Sequence, residues 1–242
     1  MIKKLTSSEQ VANEFAHYFV RSANAVIQDG FEFFVALSGG NTPQLFFEVL
    51  ARDYNQAVDW SNVHFFWGDE RMVPADDPES NYGVAKKLLF DRISIPESNV
   101  HPVNGEADPE KEAKRYGCEI ESFLPKNSGW PRFDMIILGM GTDGHTASIF
   151  PNQIELFSSP AVCDTASQPQ TGQERITITG HVINNARRVV FLVTGQGKAD
   201  KVNEIFNHTG SFMDFPAAHV SPETGKLIWY LDELAGKGIT NF

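Results

Sequence analysis

The sequence predicts an α/β fold: a three-layer, mainly parallel Rossmann-like sheet with helices on both faces. Three observations carry this reading. Predicted strands alternate with predicted helices, several strands are continuously apolar as strands buried on both faces are, and polar, often glycine-rich loops follow directly on strands. In such sheets ligands bind at the carboxyl ends of the strands. The 242 residues show no linker, internal repeat or low-complexity segment, so 1–242 reads as a single domain large enough to bury a substantial core.

Taken in order, "SSEQVANEFAHYFVRSANAVIQDG" opens with Ser7 and Gln10 in capping-box spacing, carries Val11, Phe15, Tyr18, Phe19, Val26 and Ile27 near helical spacing, and stops at Gly30. "FEFFVAL" (31–37) reads as a buried strand. "SGGNTPQLFFEVLAR" reads as a glycine turn opening a helix, with Thr42 as N-cap and Pro43 in its first position. "VHFFW" is a strand, "SNYGVAKKLLF" and "DPEKEAKRYGCEIESFL" are helices, and "FDMIILGM" is an apolar strand running into "LGMGTDGHTASIFP". The strands "RITIT", "RRVVFLVTG" and "KLIWYL" and the helix "KADKVNEIF" follow. The stretch from Phe157 to Arg175, rich in Ser, Gln and Pro, reads as a mobile loop whose closure over a ligand is left open.

Composition narrows the function classes. A net charge of −11 and pI near 5.0, with no run of Lys and Arg, exclude the electrostatic footprint of nucleic-acid binding. An anionic small substrate stays possible, because a few placed cations and backbone N–H groups can set a local potential. Cys118 and Cys163 form no C-x-x-C pair, so neither a zinc site nor a disulfide framework is expected. The amino terminus has no apolar run of signal length, and no stretch approaches the ~20 apolar residues of a membrane span. The expectation is a monomeric cytoplasmic protein with a small-molecule substrate and neither a nucleic-acid nor a membrane partner.

Gly139, Gly141 and Gly144 stand in G-x-G-x-x-G spacing, but a dinucleotide loop needs a long helix next and an acidic residue about 20 positions on. Pro151 arrives early, and Asp164 lies at that distance without a clear βαβ unit. "VTGQGKAD" lacks the upstream glycine and the Ser or Thr of a phosphate-binding Walker loop. "ALSGG" has Ala36 where a nucleophile elbow needs glycine, so Ser38 is a poor hydrolase nucleophile. The seven histidines show no metal-ligand spacing.

Three loops remain, each after a predicted strand. Ser38-Gly39-Gly40-Asn41-Thr42 offers hydroxyls and free N–H groups at a helix start, which suits phosphate; its plain alternative is a tight turn with a cap. In "WGDERMVPADDPESNYG", Asp69 and Arg71 are two apart and can both face a cleft if the strand continues, although charged strand ends are usually just solvated. In Asp143-Gly144-His145-Thr146, glycines can hold His145 at a cleft mouth as a general base, where a lone histidine would more often be structural. Arg175 and Lys198 can pair a phosphate or merely sit in solvent. His219 reads as structural.

Together "ALSGGNTP", "FFWGDERMVP", "SNYGVAKKLL", "LGMGTDGHTASIFP", "RITIT" and "NNARRVVFLVTGQGKAD" resemble the 6-phosphogluconolactonase family, in the family's order, from about residue 31 to the C-terminus. The resemblance implies a cofactor-free hydrolase of 6-phospho-D-glucono-1,5-lactone in the oxidative pentose phosphate pathway. It also implies the fold type of glucosamine-6-phosphate deaminase and ribose-5-phosphate isomerase. It makes His145 the base that activates water, puts Asp69 and Arg71 in the active site, and assigns the "SGG" loop and Lys198 to phosphate. Arg71 can serve the oxyanion or the phosphate, and Asp143 or Asp69 can orient the imidazole. The deaminase branch resembles D-G-H-I-A-F-N-E-P, whose glutamate before proline supports the histidine; here that place is Phe150, which cannot. A non-catalytic sugar-phosphate sensor and a nicotinamide-binding module are the readings of other classes.

Overall fold

The computed structural model describes residues 1–239. Its strands and helices are β1 (Ile2–Leu5), α1 (Ser8–Gln28), β2 (Phe33–Leu37), α2 (Asn41–Asp53), β3 (Val63–Trp67), β4 (Asp69–Arg71), α3 (Asn81–Leu88), α4 (Pro109–Phe123), β5 (Lys126–Asn127), β6 (Trp130–Pro131), β7 (Met135–Leu138), β8 (Cys163–Ser167), β9 (Glu174–Ile178), α5 (Gly180–Asn185), β10 (Arg188–Val193), α6 (Ala199–Asn207) and β11 (Lys226–Asp232).

Six strands form the central sheet in the order β1-β11-β10-β7-β2-β3, and every pair in it is parallel. Side chains alternate faces along a strand, so each strand feeds two cores. Phe33, Val35 and Leu37 of β2 join Phe15, Phe19 and Phe46 of α1 and α2 on one face. Phe34 and Ala36 join Tyr116 and Ile120 of α4 and Ile176 and Ile178 of β9 on the other. Both faces are therefore apolar, which explains the continuous runs "FFVAL", "VHFFW" and "MIIL".

From β2 the chain crosses outward to β3, whereas from β7 it moves the opposite way to β10. The topological switch point lies between β2 and β7. There the loops diverge from adjacent carboxyl ends and leave a crevice.

Four details depart from the sequence reading. The edge strand β1 was not expected, because "IKKL" carries little apolar signal. The helix after "SGG" begins at Asn41 with Gly40 in the cap position, so Thr42 is not the N-cap. The strand read over 31–37 begins at Phe33, and Phe31 stays 68% exposed. The stretch read as a mobile loop contains a strand, β8, which runs antiparallel to β9 and continues through it to β4 as a second, three-stranded sheet. Only Cys163 and Ala166 of β8 are buried, so its hydrophobic pattern is too sparse to read, while Gln168 closes the turn to β9 through Gln173 and Gly172.

Candidate active site

Each functional loop begins at the carboxyl end of a central strand. Ser38-Gly39-Gly40 follows β2, Asp69 and Arg71 follow β3, Gly139 to His145 follow β7, and Lys198 follows β10. With Arg175 of β9 and Asn81 of α3 they line one cleft of about 190 Å³. A larger cavity, about 680 Å³, opens at the amino ends of the strands beside Phe31, Phe123 and Arg187. The smaller one sits at the switch point and gathers the groups capable of chemistry, so geometry and chemistry single it out over size.

His145 lines the cleft and is paired with a carboxylate, Asp143, that does not itself line it. Asp143 Oδ1 lies 2.6 Å from His145 Nδ1 and also accepts the His145 backbone N–H at 3.1 Å. A carboxylate acceptor puts the ring proton on Nδ1 and leaves Nε2 as the nitrogen for chemistry. Burial would raise the Asp143 carboxyl, but the hydrogen bond and charge of His145 outweigh it and hold the group below its usual range. Gly141 makes the pairing possible. A Cβ there would stand 2.1 Å from His145 Nδ1 and 2.3 Å from Asp143 Oδ1.

Phe150, 1% exposed, lies with its ring centroid 4.7 Å from that of His145. The imidazole therefore also meets hydrocarbon.

Asp69 belongs to a different set. Its Oδ2 accepts the Ser148 hydroxyl at 2.7 Å, Arg175 Nη1 donates to the same hydroxyl oxygen at 3.3 Å, and the Asp69–Arg175 separation is 4.0 Å. Of the two carboxylates the sequence left open as orienters of the imidazole, Asp143 is the one in contact with it. Alternation along β4 turns Asp69 and Arg71 into the cleft and Glu70 away from it.

Three cations face this space. Arg71 Nη1 donates to Glu79 O at 2.9 Å, while the Nε groups of Arg71 and Arg175 are buried without a partner. Such orphaned donors are costly unless something accepts from them. Burial lowers the Lys198 ammonium against the opposing pull of Asp143, and burial likewise lowers Arg175. A cleft with this lining attracts an anion although the chain carries −11 overall.

Most of the residues singled out in the sequence meet here. Thr42 does not: its hydroxyl is 2.7 Å from that of Thr194, and it does not line the cleft. Ser38 lines the cleft but donates its hydroxyl to Ile137 O at 2.8 Å, which leaves it as an acceptor. His219 lies elsewhere, with Nε2 2.7 Å from Met213 O, as a structural histidine would. Sequence reasoning passed over Asn81 and Ser148, both inside quoted motifs; their roles come from contacts 12 and 79 residues away in sequence. Among the described residues no cluster of His, Cys, Asp and Glu is placed to hold a metal. No helix there is long and apolar enough to cross a membrane.

Fold and site together define an α/β enzyme, with a parallel sheet, a switch-point cleft, a His–Asp pair and cations for an anionic ligand. The chain belongs to the family of glucosamine-6-phosphate isomerases and 6-phosphogluconolactonase, whose model matches residues 6–229. It is 46% identical over 202 residues to a 6-phosphogluconolactonase of Haemophilus influenzae, covering 83% of this chain and 85% of that one. Identity to the 6-phosphogluconolactonase of Aggregatibacter actinomycetemcomitans is 43% over 230 residues, covering 95% and 94%. The solved structure of 6-phosphogluconolactonase from Trypanosoma brucei superposes with a TM-score of 0.90 at 29% identity, covering 99% of this chain and 98% of that one.

Proposed function

We propose that this protein is a 6-phosphogluconolactonase, hydrolysing 6-phospho-D-glucono-1,5-lactone to 6-phospho-D-gluconate in the oxidative pentose phosphate pathway. We read it as a monomeric, cytoplasmic enzyme that uses neither cofactor nor metal. The observation that carries the reading is the 2.6 Å pair of His145 and Asp143 beside a cleft lined by Arg71, Arg175 and Lys198.

In the proposed reaction the phosphate anchors the substrate to the cationic wall, and the lactone carbonyl lies near His145. His145 Nε2 takes a proton from water as the water oxygen attacks C1. Asp143 stabilises the imidazolium that forms and fixes the ring by its hydrogen bond to Nδ1. The tetrahedral oxyanion needs donors on the other side of the carbonyl. Arg71 can supply them if Arg175, Lys198 and the Ser38-Gly39-Gly40 loop hold the phosphate. Collapse of the intermediate breaks the C1–O5 bond, and the proton returns from Nε2 to O5 as the ring opens.

Phe150 favours this chemistry over sugar isomerisation. Sugar isomerisation passes protons along the substrate and needs a further relay group beside the Asp143-paired histidine, and the aromatic wall of Phe150 supplies none. Water activation needs only the one base.

The test generates the lactone in situ with glucose-6-phosphate dehydrogenase and follows its opening against the spontaneous rate, for the wild type and for His145→Ala. Acceleration by the wild type that is lost in the variant is the expected result. A wild type no faster than water refutes the function, and an unaffected variant refutes the base. Tight NADP binding, read from tryptophan fluorescence, would favour a nicotinamide-binding module instead.

A further inference from the structure

Glu70 lies between two residues that face the cleft, yet points away from it. It is 2% exposed, and a carboxylate this deep is costly unless its oxygens are satisfied. They are. Oε1 accepts the backbone N–H groups of Arg71 and Asn81, each at 2.8 Å. Oε2 accepts that of Tyr82 at 2.8 Å and the Ser80 hydroxyl at 3.4 Å. Ser80 Oγ in turn accepts the Gly83 N–H at 3.0 Å. The three N–H groups that open α3 thus end on Glu70 and Ser80, and the bonds to Glu70 only partly offset burial, which pushes its carboxyl up to about 7.

The turn that Glu70 pins supports both neighbours of the cleft. Arg71 Nη1 is braced by Glu79 O. Asn81 sends its Nδ2 to Asp69 O at 2.9 Å, and its amide packs so closely on Gly39 that a Cβ there would lie 1.9 Å from Asn81 Oδ1. The loops after β2 and β3 therefore meet through the first residue of α3, and the position of that residue is set by Glu70.

We propose that Glu70 is a positioning residue of the active site, clamping the start of α3 to β4 so that Arg71 and Asn81 face the substrate together. The proposal rests on the lactonase reading for its kinetic consequence. Glutamine at position 70 keeps the shape but turns one accepting oxygen into an NH₂ group aimed at backbone donors, so the turn shifts.

Glu70→Gln is compared with Glu112→Gln. Glu112 is equally buried and also holds a backbone N–H, that of Asn104 at 2.7 Å, but it sits on α4 outside the cleft. Both variants lose melting temperature. Glu70→Gln also loses about 10- to 100-fold in kcat/KM, the scale of a misplacement near 1 Å, while Glu112→Gln keeps kcat/KM within about twofold. Amide exchange at Asn81 and Tyr82 accelerates in Glu70→Gln. If Glu70→Gln loses stability alone, as Glu112→Gln does, the proposal is overturned.

Should Glu70→Gln not fold, Asn81→Ala and Ser80→Ala decide together. Asn81→Ala alone would report only a lost cleft residue, so it is read beside Ser80→Ala, which removes the clamp's hydroxyl and the Gly83 acceptor outside the cleft. In Ser80→Ala kcat/KM falls and amide exchange at Asn81 and Tyr82 accelerates; both unchanged overturns the proposal. If the wild type itself does not accelerate lactone opening, the lactonase reading fails and the clamp is judged by exchange, with unchanged rates at Asn81 and Tyr82 overturning it.

Discussion

Gly141→Ala is the sharpest probe of the His–Asp pair, because it adds one methyl group and touches neither partner chemically. Gly141 is not among the glycines with positive φ, so alanine meets no backbone penalty there and the effect is steric. The new Cβ would lie 2.1 Å from His145 Nδ1 and 2.3 Å from Asp143 Oδ1, well over 1 Å inside the 3.4 Å at which ordinary contact begins. Both groups must move by about that difference. Displacement of a catalytic group by ~1 Å costs about 100-fold in rate, or roughly 2.7 kcal/mol of barrier. The expected result in the lactone-opening assay is a fall of about that size in kcat with little change in KM, since the phosphate contacts lie elsewhere in the cleft. Thermal unfolding checks that the variant is folded at the assay temperature. A kcat within about threefold of wild type would show that the pair does not work in the arrangement described, and the role given to Asp143 would go with it.

Other perturbations reach the remaining parts. Asp143→Asn exchanges a charged hydrogen bond for a neutral one, a loss of about 1–2 kcal/mol with a Coulomb bound near 4, so kcat falls by roughly 10- to 1,000-fold. The Asp143 carboxyl is held below its ordinary value of 3.8, so its contribution to stability is present above that pH and lost as the pH drops beneath it. Melting temperatures of wild type and Asp143→Asn should therefore converge only below pH 3.8. Lys198→Met removes a charge-assisted contact worth about 1.5–3 kcal/mol, so KM rises roughly 10- to 150-fold while kcat changes less. Because burial lowers Lys198 from 10.5, the wild-type KM should climb at a lower pH than an ordinary lysine allows, and lower still in Asp143→Asn. Phe150→Ala empties a site that is 1% exposed and should cost about 3–5 kcal/mol in denaturant unfolding.

Legibility in the sequence followed burial. "FFVAL", "VHFFW", "MIIL" and "RVVFLV" are apolar throughout because both faces of the sheet are covered, and each was readable as a strand. β1 and β8 were not, since "IKKL" sits at an edge and "CDTAS" buries only two residues. The site divided in the same way. Asp69, Arg71, His145 and Lys198 were legible because each follows a recognisable strand, and strand ends converge in this topology. Asp143 and Asp69 could not be separated as orienters, because the difference lies in Ser148, whose hydroxyl occupies Asp69. Thr42 was misplaced for a related reason. Two glycines before a hydroxyl suit a capped phosphate loop, but Thr194, from the loop after β10, claims that hydroxyl.

The G-x-G-x-x-G spacing of Gly139, Gly141 and Gly144 shows what a glycine pattern does and does not specify. In a dinucleotide loop the spacing lets backbone N–H groups approach a pyrophosphate at the start of a helix. Here no α-helix lies between β7 and β8, and the N–H groups are spent within the loop, Gly141 N on His145 O at 2.8 Å and Gly144 N on Gly141 O at 3.1 Å. What approaches the backbone at Gly141 is the protein's own His145–Asp143 pair. A glycine states that something must come close, and whether that is a ligand or a catalytic side chain is decided by where the neighbouring N–H groups point. The early Pro151 was the visible part of that decision, because no α-helix begun at the glycines can run through it.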